Sequence, residues 1–589
     1  MGLALVLVAA VLFWAVMYWR VGIFLARRLE VDDRRPTPAR AEADGVDFVP
    51  TNPVVLFGHH FSSIAGAGPI VGPVIAGLAF GWVPALLWIV LGAALVGGVH
   101  DVCALMASVR HRGETIGQVC RRYLDPLAYY SLLAFIWLAM IYVLIVFLDL
   151  TASSFAPASE KLLHEGGAVA TASVIYVGLA VLFGLAVYRW KLALWKASVI
   201  FVPLVFAAIW VGHQWPLRAD MVPAGFGSAR GMWDVVLVGY CFVASVLPVW
   251  LLLQPRDYLS AYLLVACLAG GAAGLVVAGL GGAAAIQYPA FRGWEHAQLG
   301  SLYPALFITV ACGAMSGFHS IVASGTTSKQ LACESHARPV AYGGMLVEGV
   351  LAVVALAAVM ILSAAPAGQT PVQVFATGMG KFLGVFWIRP ELATTFGLLA
   401  VSTFLLTTLD TCTRLGRFIF QEFFGLTGGV GRIVGTVATL AIPAGMVFVK
   451  ITGPDGQPIP AWQAIWPAFG ATNQLLGGLA LLVVYSWLRQ TGRRAGFVLA
   501  PLAFMLVTTL TALGQLVYRH LVREGGSWYI GGVSAVMGVL ALALIANAVW
   551  RLRGAGSVKK SDVASFENGN QRQAGYEPAD VRPERDTAS

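Results

Sequence analysis

FGHHFSSIAGAGPIVGP, residues 57–73, lies inside an apolar run that extends from about 55 to 79. A helix needs about 20 apolar residues to cross the hydrocarbon core of a bilayer, and this run supplies them. Its composition nonetheless works against one continuous helix, because Gly66, Gly68, Pro69, Gly72 and Pro73 fall in its middle. Proline removes a backbone donor, and each glycine weakens a helix by about 1 kcal/mol. Open backbone is tolerated at membrane depth only where it is buried in protein or lines a cavity. The stretch is therefore expected to be a discontinuous helix inside a membrane bundle, with a kinked, closely packed helix as the simpler alternative.

The chain around it supports a lipid setting. Of 589 residues, 58% are hydrophobic and 11% charged, with a mean hydropathy of +0.77; soluble domains carry about 25% charged residues. The 66 glycines and 18 tryptophans fit close helix packing and interfacial anchoring. A net charge of +9 does not point to nucleic acid, because the basic residues are scattered between apolar runs. The seven cysteines form no CxxC pair and read as small packing residues, with neither a disulfide framework nor a zinc site. Residues 3–26 lack a preceding basic region and a cleavage site, so they read as a retained transmembrane helix.

About fifteen segments are long and apolar enough to span: approximately 3–26, 55–79, 82–109, 127–152, 169–187, 196–213, 235–253, 259–281, 303–325, 341–364, 392–413, 431–451, 464–487, 497–518 and 529–550. The stretch 370–391 is ambiguous, a re-entrant or surface helix. The expected architecture is all-α and polytopic, with an N-terminal peripheral helix (1–30), a cytoplasmic linker (31–54), a transport core (55–413), additional C-terminal helices (414–550) and a polar tail (551–589) whose composition predicts disorder. With loop 27–54 on the cytoplasmic side and the spans alternating, the cytoplasmic loops collect most of the arginines and lysines. The positive-inside rule then puts the N-terminus in the periplasm and the C-terminus in the cytoplasm.

Two further spans carry unusual punctuation. The seventh, VGYCFVASVLPVWLLLQPRDY, has Pro248 in its middle, and the ninth, ACGAMSGFHSIVASGTTSK, combines glycines with many hydroxyls. Transporters built from a five-plus-five inverted repeat place discontinuous helices at corresponding positions of the two halves, and spans 2 and 7 are five apart.

Titratable residues inside membrane helices are costly and usually face the bundle interior. The candidates are His59, His60, Asp101, Asp149, His319, Glu348 and Asp410. All but Asp149 fall at a shared depth of roughly 8–14 Å from the cytoplasmic helix ends, which suggests one polar layer, a proton relay or inner gate. Asp410 has Arg414 and Arg417 on its own face, so a structural ion pair competes with a functional role. Asp101 follows His100 and has a cytoplasmic arginine as a possible partner. Glu348 has no basic residue three or four positions away, which leaves it needing a partner or a proton. Asn473 and Gln474 read as inter-helix hydrogen-bonding groups.

The runs VLFGHHFSSIAGAGPIVGPVIA, VASVLPVWLLLQPRDYLS, ITVACGAMSGFHSIVASGTTSK, YGGMLVEG and WPAFGATNQLLGGLAL closely resemble the carbon starvation protein A family, over roughly residues 44–488. The chain is shorter than many members between spans 10 and 11. The resemblance implies a bacterial inner-membrane carrier of short peptides or of pyruvate, grouped with the amino acid–polyamine–organocation superfamily and its five-plus-five repeat. It implies a solute site at the break, with Ser62, Ser63, Gly66, Ala67, Gly68, Pro69 and Pro248, where the positive end of a half-helix receives a carboxylate. It also implies a cation site in which Ser324, Thr326 and Thr327 stand opposite the carbonyls of Ala65 and Gly66, hydroxyls that otherwise bond within their own helix.

The expected function is thus a proton- or sodium-coupled importer, with the lipid bilayer and a small solute as its partners and no cofactor beyond the coupled ion. A transition-metal carrier using His59 or His60, His319, Asp101 and Met315 is the alternative, though no HxxxH or CxxC motif supports it. No enzyme is indicated: GAGPIVG lacks the serine of GxSxG, and HH is not HExxH.

Overall fold

The computed structural model describes residues 2–44, 47–158, 162–217, 228–248, 250–282, 284–446, 448–449, 451–452, 458–523 and 526–554. The polar tail expected at 551–589 lies almost wholly outside them. Among the described residues the regular structure is helical apart from an isolated bridge between Thr51 and Leu331 and two hairpins of two-residue strands, β1 (Glu295–His296) with β2 (Gly300–Ser301) and β3 (Ile451–Thr452) with β4 (Pro458–Ile459).

The helices follow in order: α1 (Gly2–Arg28), the single turn α2 (Pro38–Ala41), α3 (Pro53–Ile64), α4 (Gly68–Phe80), α5 (Trp82–Gly92) continued through one wide turn into α6 (Gly98–Arg110), α7 (Ile116–Tyr123), α8 (Pro126–Phe155), α9 (Leu163–Gly184), α10 (Leu194–Gln214), α11 (Ala229–Val246) and α12 (Leu253–Leu280). The second half holds α13 (Leu302–Thr309), α14 (Gly317–Gly325), α15 (Gly343–Met360), α16 (Pro371–Gly384), α17 (Pro390–Phe424), α18 (Gly428–Met446), α19 (Ala461–Gln490), α20 (Gly496–Val517) and α21 (Trp528–Gly554). Among the described residues, 13 helices are long and apolar enough to cross a membrane, and the pair α3/α4, bent by 48°, makes a fourteenth. The remaining expected span, the ninth, 303–325, is the interrupted pair α13/α14. The ambiguous 370–391 resolves into α16, whose 14 residues are too few to cross.

The loops sort onto two faces. Asp32, Arg110 and Glu334 meet on one, where Arg110 Nε lies 2.8 Å from Glu334 Oε1 and the Asp32 amide donates to Glu334 Oε2 at 2.8 Å. Gln490 reaches the Tyr123 carbonyl on the same face. The opposite face joins Val83 to Ala290, Gln287 to Met360, and Gln463 to Gln298. Gly81, at φ 93°, makes the turn there between α4 and α5, with its Cα against the backbone of Ala290 and Phe291.

The same series of elements occurs twice. A broken span (α3/α4, then α13/α14) is followed by a long helix (α5–α6, then α15). Next comes a short helix opened by a threonine capping box, Thr115 with Gln118 in α7 and Thr370 with Gln373 in α16. A helix of 30 residues (α8) corresponds to one of 35 (α17). An outer helix (α9, then α18) and a closing helix (α12, then α19) complete each half, with α10 and α11 inserted in the first. Packing repeats as well: α9 and α12 lie on α17 as α18 and α19 lie on α8. The first capped helix sits on the arginine-rich face and the second on the opposite face, so the repeat is inverted. The expected pairing of spans 2 and 7 is corrected: the mate of span 2 is span 9. Span 7 is not interrupted by Pro248, because α11 ends at Val246 and the proline lies in the connection to α12. At the centre, α8, α15, α17 and α19 are buried along most of their length, whereas α1, α10, α11, α18 and α21 turn leucine, valine and tryptophan side chains outward.

Candidate functional site

The two broken spans lie side by side and antiparallel with their breaks level. A Cβ added at Gly68 would collide with the Cys312 side chain, and one at Gly72 would lie 2.6 Å from the Thr309 carbonyl oxygen. Only glycine permits this approach. The second break, 310–316, is filled from α19. Gln474 Nε2 donates to the Phe307 carbonyl at 2.7 Å and the Val310 carbonyl at 3.3 Å, closing the open end of α13. The Trp466 indole donates to Thr309 and the Trp88 indole to Val310, both at 3.3 Å. Asn473 Oδ1 accepts the Phe318 amide at 3.1 Å and so caps α14. These are the inter-helix bonds expected of Asn473 and Gln474.

The first break, 65–67, is treated differently. Among the described residues no side chain hydrogen-bonds its backbone. Ser62 and Ser63 turn their hydroxyls back to the His59 carbonyl, at 3.0 and 2.8 Å. The hydroxyl that faces Gly66 is that of Thr408 on α17, 2.6 Å from where a Cβ would stand. Ser324 and Thr326, expected opposite this break, donate within their own helix to Ser320 and Val322, and Thr327 meets His60 Nδ1 at 2.8 Å, more than a turn away.

Beside the second break stands a buried triad. His319 Nδ1 lies 2.9 Å from Asp101 Oδ2, and His319 Nε2 lies 3.3 Å from Glu348 Oε2. The other Asp101 oxygen is 2.8 Å from His100 Nδ1. All four side chains are closed to solvent. They come from α6, α14 and α15, so one imidazole on a half-helix bridges carboxylates on two continuous helices. Both Glu348 oxygens and His60 Nε2 lack a hydrogen bond among the described residues. Asp101 therefore pairs with two histidines and not with an arginine, and the partner that Glu348 lacks along its own helix is His319.

Asp410 belongs to a second cluster. Its partner is neither Arg414 nor Arg417 but Arg256 of α12, with which it forms a fully buried ion pair. Tyr240 donates to Asp410 Oδ2 at 2.8 Å, and Arg256 Nη1 donates to the Leu406 carbonyl at 2.9 Å. Arg414 and Arg417 turn to the carbonyls of Ala244, Ser245 and Leu247 at the end of α11. Asp149 pairs with Arg230 and accepts the Trp462 amide at 2.8 Å, pinning the start of α19. Sequence reasoning missed Arg256, Tyr240 and Thr408; the polar run TTLDTC, 407–412, was the available signal for the last. Among the described residues no group of three or more histidines, cysteines or acids is arranged to hold a metal ion.

The family model of carbon starvation protein CstA matches residues 1–369 and 363–512. The chain is 33% identical to a peptide transporter, CstA, of Campylobacter jejuni, over 90% of this chain and 82% of that one. It is 30% identical to the pyruvate/proton symporter BtsT of Escherichia coli, over 89% and 83%. A solved structure of MhsT in complex with L-phenylalanine is 13% identical, with a TM-score of 0.42, and the match covers 85% of this chain and 99% of that one. With the family model matched along most of its length, this multi-pass membrane protein belongs to the carbon starvation protein CstA family.

Proposed function

We propose that the chain is a proton-coupled importer of a small carboxylate-bearing carbon source, a short peptide or pyruvate, in the bacterial inner membrane, with its arginine-rich face cytoplasmic. The names of its relatives support both the transport reading and the two substrate classes. The observation that carries proton coupling is the Asp101–His319–Glu348 triad.

Two carboxylates sharing one imidazolium leave a net negative charge in a site closed to water. Net buried charge costs several kcal/mol, and a proton on Glu348 cancels it. The loaded, neutral triad would also release Glu348 from His319 while Asp101 keeps its bond. Since His319 rides on α14, half of a broken span, the proton then changes what holds α14 against α15, and the break at 310–316 serves as the hinge. The solute would bind at the first break, along Ser62 to Pro69, where the amide end of α4 faces a carboxylate without competition from protein side chains.

A second reading, sodium coupling, is favoured by Thr408 Oγ1, a hard oxygen at the open backbone of Gly66. Proteoliposome uptake of labelled pyruvate and of a labelled dipeptide under separately imposed pH and sodium gradients tests both. Accumulation driven by pH alone supports the proton reading; accumulation driven by sodium alone replaces it; uptake of neither solute under either gradient removes the transport reading.

A further inference from the structure

On the face opposite the arginine-rich loops, a cavity of about 840 Å³ opens between α4, α19 and α20. Its wall carries Arg292, Arg519 and Arg523 together with His296 and His520, and no aspartate or glutamate among the described residues. Arg519 and Arg523 lie just past the end of α20, in the wide turn Tyr518–Val522 and at its exit, two like charges four residues apart on one wall. The three guanidinium groups are oriented by groups that cannot neutralise them. Arg519 Nη1 donates to the Gln298 carbonyl at 2.7 Å, Arg292 Nη1 donates to the Leu78 carbonyl at 2.6 Å, and Arg523 stacks over the Tyr518 ring at 5.6 Å.

The floor of the cavity is apolar and adjoins the site already described through Trp466. It is formed by Ile75 and Leu78 of α4 and by Trp466, whose indole bonds Thr309 at the edge of the second break. A ligand standing here is therefore above the outer halves of both broken spans. Its chemistry is fixed by the wall: a small anion with a planar, fork-shaped group that guanidinium recognises, on an apolar body that the floor accepts.

We propose that this cavity is a capture site for the carboxylate of the incoming solute, occupied before the solute reaches the break at 65–67. The inference rests on the transport reading, and it adds the residues that select for a carboxylate. A phospholipid headgroup offers similar anionic chemistry from a different source, so the test separates the two.

Thermal stability of the purified full chain in detergent is measured with added pyruvate, dialanine, dialanine amide or phosphatidylglycerol. Uptake is measured in vesicles of phosphatidylcholine, with and without phosphatidylglycerol. Pyruvate and dialanine should stabilise the wild type and the amide should not. Arg523→Gln should remove that stabilisation and raise the KM for uptake about tenfold with little change in kcat, while Arg523→Lys retains most of both. Because Arg519 also holds the β1–β2 loop, Arg519→Gln is read only alongside Arg523→Gln. The proposal is overturned if both glutamine variants keep the wild-type ligand shift and KM. It is equally overturned if phosphatidylglycerol, and not the solutes, supplies the stabilisation that Arg523→Gln removes. Carboxylate-dependent stabilisation without uptake would sink the transport reading and keep the site; uptake without it would do the reverse.

Discussion

His319 Nε2 lies 3.3 Å from Glu348 Oε2, and neither oxygen of that glutamate has a hydrogen bond among the described residues. Its triad partner Asp101 is satisfied by two histidines. Of the two carboxylates, Glu348 is the one with unused acceptors, and an added proton has its place there. Glu348→Gln should therefore uncouple the carrier. A pH difference of one unit drives about tenfold accumulation when one proton accompanies each solute. The variant should fall to simple equilibration, yet still exchange labelled for unlabelled solute at equal concentrations. Full gradient-driven accumulation by Glu348→Gln would remove the glutamate from the coupling path.

The contact between the two breaks is testable by steric exchange. Gly68→Ala puts a methyl into the Cys312 side chain at the level where both spans open. Overpacking of this kind typically costs 1–3 kcal/mol, about, and here it would push α4 away from α13/α14. Transport should be lost while the protein still inserts. Cys312→Gly in the same chain vacates the space and should restore a substantial part of the uptake. If the single variant transports normally, the breaks do not work as a pair.

Arg256 and Asp410 form a fully buried pair that joins α12 to α17, the corresponding helices of which, α19 and α8, also pack together. Removing one member of such a pair leaves an uncompensated charge and costs about 3–5 kcal/mol, whereas replacing both with apolar groups is often neutral. Arg256→Met should thus lower the unfolding temperature sharply, and Arg256→Met with Asp410→Leu should recover part of it, because Asp257, 3.2 Å from Arg256 Nη2, still loses its partner. A double variant as unstable as the single one would mean that Arg256 acts mainly through Asp257, the Leu406 carbonyl and Tyr240.

What was readable in the sequence was local chemistry. Glycines and prolines at 66–73 mark the first break because they act on their own backbone, and Asp101, His319 and Glu348 stand out because acids and histidines are rare in apolar spans. The second break was misplaced because it needs no proline. Its open ends are closed by Asn473 and Gln474, more than a hundred residues further along, and no local pattern records that. Pro248 only follows the end of α11 and breaks no helix, although a proline in an apolar run reads as an interruption. Arg414, four residues after Asp410, looked like its partner, yet the orphan carbonyls at the end of α11 claim that arginine and leave the acid to Arg256. Spacing along one helix says which groups share a face, but the neighbouring helix decides which of them pair.

His111, just past the end of α6 on the arginine-rich face, gives a pH prediction of its own. Its Nδ1 lies 2.6 Å from the Ala107 carbonyl, which can only accept, so Nδ1 carries the proton; Nε2, 2.7 Å from the Tyr123 hydroxyl, then accepts in the neutral ring. Burial holds this imidazole below its ordinary value of 6.5, against the pull of the Ala107 bond toward the charged form. Above about pH 6.5 neither the folded nor the unfolded chain binds a proton here, and the contribution of the neutral ring is fully present. As the pH falls through that value the unfolded chain takes up a proton that the folded chain refuses, so stability declines toward the lowered folded value. Between about pH 7 and pH 5 the unfolding temperature of the wild type should therefore drop more steeply than that of His111→Gln, whose amide donates to Ala107 but does not titrate. Parallel curves for the two proteins would show that the ring is not held neutral by the fold.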